Sequence, residues 1–241
     1  MFVVAVMSLG APVETEAPLL AAELGVTAYE AGLLLRAPSP AIVLRTEDRA
    51  RALALLASLR GRGHDTVACD SNAVVSTEAM HHVRSFTLEP EAIVDGSGRV
   101  PFGTITALVR ALHSARVETT EKTTGKQISL GRAALSGGLL ATKKVTSERT
   151  RVSESREHVL YMFSSSPQPW IAVASRARYD GLGEPLRPSQ QENFERFVAV
   201  MRERCPAAAF DDRLLAAKNA DTETADLLAN LVALSVTRAR R

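Results

Sequence analysis

At 241 residues with a formal net charge of +2, the chain has room for one large domain or two small ones, each able to bury a core. That near-balance of charge, with 46% hydrophobic residues, excludes a disordered polyelectrolyte and a polybasic nucleic-acid binder, so any partner must be sought locally. Cys69 and Cys205 lie far apart and lack C-x-x-C spacing, which argues for two reduced thiols rather than a zinc or redox site.

The first seven residues are apolar but lack a basic n-region, and Glu14 and Glu16 soon follow, so they read as a buried strand rather than a signal peptide. No apolar run approaches bilayer length, and the expectation is a cytoplasmic protein without a transmembrane segment. The strand predicted over 2–9 ends at Gly10 and Pro12. A helix over 14–24 follows, with Leu19, Leu20, Glu23 and Leu24 on the expected buried face and Gly25 at the stop. Thr27 and Glu30 have capping-box spacing and start a second helix with Ala31, Leu34 and Leu35 inward, which Pro38 and Pro40 end. A short strand over 41–44 leads to a third helix capped by Thr46, with Leu53, Leu55, Leu56 and Leu59 as its apolar stripe. Gly61 and Gly63 close that helix before a strand over 65–69.

This βααβαβ order resembles the C-terminal domain of the bacterial ribosomal stalk protein and, more loosely, the adaptor of the Clp protease. The resemblance rests on the turn Gly25-Val-Thr-Ala-Tyr-Glu-Ala31, the Ala-Pro after the second helix, the Thr46-Glu-Asp helix start and Gly63. It implies an α/β docking module over 1–70. Where the stalk domain engages translation factors through lysines on its first two helices, this chain carries Glu14, Glu16 and Glu23. The first histidine of the chain is His64, whereas the Clp adaptor's pocket uses acidic and histidine side chains near the first turn. The implied partner is therefore a protein of unspecified identity.

Residues 71–82 are small and polar at first and read as a linker. The pair His81-His82 is no metal site by spacing, because adjacent side chains diverge in a strand and lie about 100° apart in a helix. From 83 onward, short alternating segments predict strands near 84–89, 92–94, 99–102, 105–109, 116–120, 127–130, 144–152, 159–163 and 170–174, with a turn at Asp95-Gly-Ser-Gly98. Ser189 and Glu192 form a second capping box, and Phe194, Phe197, Val198 and Met201 follow at i, i+3, i+4, i+7, a core-facing helix that Pro206 ends. The expected fold class is thus α+β: the small module, then a bent antiparallel β-domain over 83–215 closed by its helix. This second part resembles a bacterial pleckstrin-homology-like domain, on the strand pair leading into Val-Pro-Phe-Gly-Thr-Ile-Thr-Ala-Leu at 100–108, and such domains bind peptides, partner domains or lipid headgroups. A tail over 216–241 has Leu227, Leu228, Leu231, Val232 and Leu234 on helical spacing.

No constellation for catalysis or a cofactor can be assembled. Asp211-Asp212-Arg213 reads as a turn with a local ion pair, and Asp180-Gly-Leu-Gly183 lacks the third glycine and following helix of a phosphate loop. Ser8-Leu-Gly and Ser136-Gly-Gly lack a nucleophile elbow. The candidate anion-binding set is Lys143, Lys144, Arg149 and Arg151, in a stretch over 132–156 that carries six basic residues against two acidic ones. Lys144, Arg149 and Arg151 match the Lys, spacer, Arg-x-Arg pattern of lipid-binding pleckstrin domains, but there the pattern occupies the first hairpin. The sequence reading is a non-enzymatic adaptor whose basic stretch protects a sheet edge; the alternatives are a peripheral protein that grips anionic lipid or phosphate through that stretch, and an enzyme with an unrecognised interdomain site. The expected outcome for the triple variant Lys144→Ala, Arg149→Ala, Arg151→Ala is unchanged flotation with anionic vesicles and increased self-association. Salt-sensitive vesicle binding that vanishes in this variant would select the lipid reading.

Overall fold

The computed structural model describes residues 1–96, 98–128, 142–183, 185–216 and 221–239, with side chains described outside 114–155. The chain forms two compact units. One comprises Met1–His113 with Glu157–Arg241, and the other Ser114–Arg156. The fold is α+β: helices and strands interleave over the first seventy residues, and a run of strands then precedes the last two helices.

Six elements open the chain: β1 (Phe2–Ser8), α1 (Val13–Leu24), α2 (Ala28–Leu35), β2 (Ala41–Thr46), α3 (Arg49–Gly61) and β3 (Asp65–Asp70). The strands form an antiparallel sheet in the order β2-β1-β3. Gly25 adopts φ 73° and ends α1, its N–H bonding to the Ala21 carbonyl. The Thr27/Glu30 capping box is formed. The third helix differs from expectation at its start: Asp48, not Thr46, caps it, accepting from the N–H groups of Ala50 and Arg51 while Thr46 Oγ1 accepts from Asp48 N–H. Two buried faces are also rotated. Leu19 and Leu53 face solvent, whereas Glu16, Ala17, Leu20 and Ala21 of α1 and Ala52, Leu55 and Leu59 of α3 are buried. Alanines permit the closest approach of helix to sheet, so the alanine-lined face packs and a leucine beside it is left out.

Central strand β1 alternates between two cores. Val4 and Val6 pack under α1–α3, and Val3, Ala5 and Met7 point to the opposite face. That second face is covered by α5 (Thr222–Arg238), whose Leu227, Leu228, Leu231 and Val232 are buried in the same cluster as Val3 and Val67. The C-terminal segment therefore packs back on the protein. The stretch 71–82, expected as a linker, contains two single 3-10 turns, Ser71–Ala73 and Thr77–Ala79, and Thr77 is buried.

The remaining strands are β4 (His81–Val83), β5 (Phe86–Leu88), β6 (Ala92–Asp95), β7 (Gly98–Pro101), β8 (Ile105–Ile128), β9 (Thr142–Ser164), β10 (Trp170–Val173) and β11 (Ala209–Leu214). β5, β6 and β7 form an antiparallel meander, and the others form a five-stranded sheet in the order β11-β8-β9-β10-β4. This larger sheet is mixed rather than antiparallel throughout, because β4 joins β10 and β11 joins β8 in parallel. Its two faces separate residue by residue: Leu160 and Met162 point to one core, Val159 and Tyr161 to the α5 core. Segments expected as separate strands at 105–109 and 116–120 belong to one strand, β8, and those at 144–152 and 159–163 to β9. The second unit consists of the portions of β8 and β9 within Ser114–Arg156 and the segment between them.

Helix α4 (Gln190–Arg204) begins at the Ser189/Glu192 capping box and buries Phe194, Phe197, Val198 and Met201 against the meander and the larger sheet. Phe197 is fully enclosed, with its ring 4.8 Å from Phe86 and 6.3 Å from Tyr179. Phe197→Ala is expected to lower the unfolding free energy by about 3 to 5 kcal/mol in a denaturant titration; a loss under about 1 kcal/mol would place that ring outside the core.

Candidate functional site

The densest buried polar cluster outside the module lies where α5 begins. Asp226 is enclosed, and its carboxylate accepts three hydrogen bonds: from Thr77 N–H at 2.6 Å, from Thr77 Oγ1 at 2.6 Å and from the Tyr161 hydroxyl at 2.8 Å. Tyr161 sits on β9, and its hydroxyl oxygen lies 2.6 Å from His113 Nε2 on β8. Because the tyrosine proton is committed to Asp226, His113 donates through Nε2 to the Tyr161 oxygen. His82 Nε2 is 2.8 Å from the Thr77 carbonyl. Beside this chain of groups a cleft of about 590 Å³ opens, lined by polar residues such as Arg45, Asn72, Glu78 and Asp226 and by Met1, Val74 and Leu227.

The electrostatics favour holding over reacting. Burial, reinforced by the Asp226 charge and its hydrogen bond, pushes the Tyr161 pKa far up, so the phenol keeps its proton. Burial, with a smaller contribution from Arg176, lowers the His113 pKa against the opposing pull of Asp226, Glu157 and Glu78. Tyr161 therefore serves as a fixed donor and Asp226 as a fully engaged acceptor, which locks α5, β8, β9 and the Thr77 turn together.

A second buried cluster lies in the first module. Glu16 and His64 are both enclosed; His64 Nδ1 accepts from Gly10 N–H at 2.9 Å, leaving Nε2 2.8 Å from a Glu16 carboxylate oxygen. Arg62 forks between Glu16 and Glu23, which holds the Glu23 carboxyl below its usual range. The loop is tight as well as tied. A Cβ on Gly10 would come 2.4 Å from the Gly63 carbonyl oxygen. An acid beside a histidine suggests proton transfer, but this pair clamps the β1–α1 and α3–β3 loops.

The residues singled out from the sequence are dispersed. His81 stacks on Trp170 at 4.0 Å while His82 turns to Thr77, so the pair diverges. Among the described residues no group of three His, Cys, Asp or Glu could hold a metal ion. Asp211 is paired with Arg213 at 2.8 Å. Asp180–Leu182 is a single 3-10 turn at which a Cβ on Gly181 would strike the Phe86 carbonyl, so this turn serves packing. Lys143, Lys144, Arg149 and Arg151 fall within β9 where side chains lie outside the described residues, and Ser136 lies outside them altogether.

The sequence reading missed the surface that the module presents. Leu19, Val26, Tyr29 and Leu33 are exposed on the α1–α2 hairpin, and Tyr29 is 73% accessible. Tyr29 and Leu33, one helical turn apart, share a face of α2. The Glu14–Arg36 ion pair and Glu30 supply polar groups on the same hairpin. The two helices meet at 115°, and among the described residues no single helix is long and apolar enough to cross a membrane. Their inward residues Ala17, Leu20, Ala21, Ala31 and Leu35 are packed in the module core.

In comparisons with known proteins, no family model, no curated protein and no solved structure matches this chain.

The lowered pKa of His113 sets a pH dependence. Its unfolded-state value is near 6.5 and its folded value lies below that, so the unfolded chain binds the extra proton first. Stability from this group is complete above the unfolded value and is lost as pH falls toward the folded one. His158, lowered by burial and by Arg110, acts in the same direction. Urea midpoints are expected to fall between about pH 7 and 5, before the carboxylates titrate, and His113→Gln should flatten part of that slope.

Proposed function

We propose that the protein is a cytoplasmic, non-enzymatic adaptor that docks a protein partner through the α1–α2 hairpin. The observation that carries this reading is the exposure of Leu19, Val26, Tyr29 and Leu33 on one two-helix element whose other side packs Ala17, Leu20, Ala21, Ala31 and Leu35 into the module core. A largely exposed tyrosine beside leucines is an expensive surface to leave in water, and such aromatic-aliphatic sets are the usual anchors of protein interfaces. The polar groups on the same hairpin give the set the rim that interfaces use for register. The resemblance of the module to the stalk and Clp-adaptor domains argues in the same direction. Cys69 and Cys205 are both unpaired, which suits a reducing compartment.

The variant Tyr29→Glu with Leu33→Glu tests the reading in affinity purification from native cells, with the full chain as bait. Surface substitutions of this kind should leave the unfolding free energy within about 0.5 kcal/mol of the parent. The expected result is a defined partner recovered with the parent and lost with the variant. A partner retained by the variant, or none recovered by either form, would count against docking on this face.

A further inference from the structure

The sheet order β2-β1-β3 leaves β3 with β1 on one side and, among the described residues, no strand on the other. Its register with β1 is regular from Phe2↔Asp70 to Val6↔Thr66, so the main-chain groups of Thr66, Ala68 and Asp70 point to the free edge. Two contacts fix that direction: Ser71 N–H bonds inward to the Met1 carbonyl, while the Thr66 carbonyl accepts from the side chains of Arg60 and Arg238 on the outer side. The helices flanking the edge each leave a leucine in solvent, Leu53 of α3 at 50% and Leu234 of α5 at 43%. Clefts of about 280 and 420 Å³, both lined by Ala68, run beside it.

Charge along this edge is unevenly placed. Arg60 and Arg238 converge on one carbonyl at the Thr66 end, with Asp65 the carboxylate paired to Arg238, and at the other end stands Asp70, whose carboxylate lies 3.4 Å from the Met1 ammonium, with Arg49 lining the cleft there. Burial and the neighbouring Arg238 guanidinium push the Arg60 pKa down, as expected of a site with surplus positive charge.

We infer that a second copy of this chain pairs antiparallel along β3, about a two-fold axis at Ala68. That register sets Thr66 of each copy opposite Asp70 of the other, so Arg60, which has no carboxylate pair among the described residues, meets one, while Arg238 keeps Asp65. The Thr66 carbonyl is then released to accept from the opposing strand. The same axis brings Leu53 of one α3 toward Leu56 of the other, because Leu53 lines the cleft at the Asp70 end and Leu56 the cleft at the Thr66 end. The interface is isologous and closes on itself, and it joins two three-stranded sheets into one of six. The opposite role for the arginines, blocking the edge against pairing, gives the opposite result when they are removed.

Sedimentation velocity of the full chain from about 1 to 100 µM is the test, since a specific interface of this kind falls within that range of affinities. A concentration-dependent dimer is expected. Ala68→Pro removes the outward N–H at an edge position where proline is tolerated, and should give a monomer with an unchanged melting curve. Asp70→Arg, and separately Arg60→Ala with Arg238→Ala, should each weaken the dimer roughly tenfold or more. Leu53→Glu, on an exposed helix position, carries the same expectation should Ala68→Pro unfold. A monomer at every concentration, a dimer indifferent to Ala68→Pro and Asp70→Arg, or stronger association in the double arginine variant would each overturn the inference. The Tyr29→Glu, Leu33→Glu variant should dimerise normally, which separates this edge from the docking face.

Discussion

The carboxylate of Asp226 is the constraint around which the first unit is arranged. It is buried at the start of a helix that two sheets share, and an ionised or neutral acid there is tolerable only because Thr77 and Tyr161 meet it with three donors. Each of those donors would be stranded without it, at about 1 to 3 kcal/mol apiece. The bonds are also directional. Apolar packing holds α5 against the sheets, but Leu227, Leu231 and Val232 would tolerate a slide along the helix axis that the Asp226 bonds forbid. A network that fixes register in this way specifies which face of α5 meets which sheet.

From that fixed helix the double-sided burial of β1 follows. A strand with Val3, Ala5 and Met7 on one face and Val4 and Val6 on the other needs cover on both. The module's own helices supply one side, and α5, from the far end of the sequence, supplies the other. The first seventy residues thus have a recognisable topology of their own but share a core with the chain's last helix. This leaves the α1–α2 hairpin on the side of the sheet opposite α5, with Tyr29 and Leu33 in solvent.

How much of this was legible in the sequence depends on the range of the interactions involved. Local signals were: Gly25 and the two capping boxes mark helix boundaries through bonds within four residues, and the stripe Phe194, Phe197, Val198, Met201 is buried as its spacing requires. Signals that need a distant partner were not. Leu19 and Leu53 were assigned inward because leucine outweighs alanine in any hydropathy pattern, yet Ala17, Ala21 and Ala52 let the helices approach the sheet. The short strands β4 and β11 escaped notice because each is paired in parallel to a strand far away in sequence, and three residues such as His81–Val83 carry no period to read.

The polar clusters show the same limit from the chemical side. Thr77 falls in the stretch that the sequence marks as a linker, and nothing local ties it to Asp226, because 149 positions separate it from the carboxylate it binds. Glu16 and His64 likewise stand 48 residues apart, and only the close approach of Gly10 to Gly63 brings them into one clamp. Both clusters join elements whose sequence separation makes their closure entropically demanding, and loops or segments joined late need directional contacts to find one arrangement. The chain has placed its buried charges at those long-range joints and left its unpaired apolar side chains, Tyr29 and Leu33 on the hairpin and Leu53 and Leu234 beside β3, where no joint needs them. Function is best sought on these surfaces, since the Asp226 carboxylate and the Tyr161 hydroxyl already have their partners.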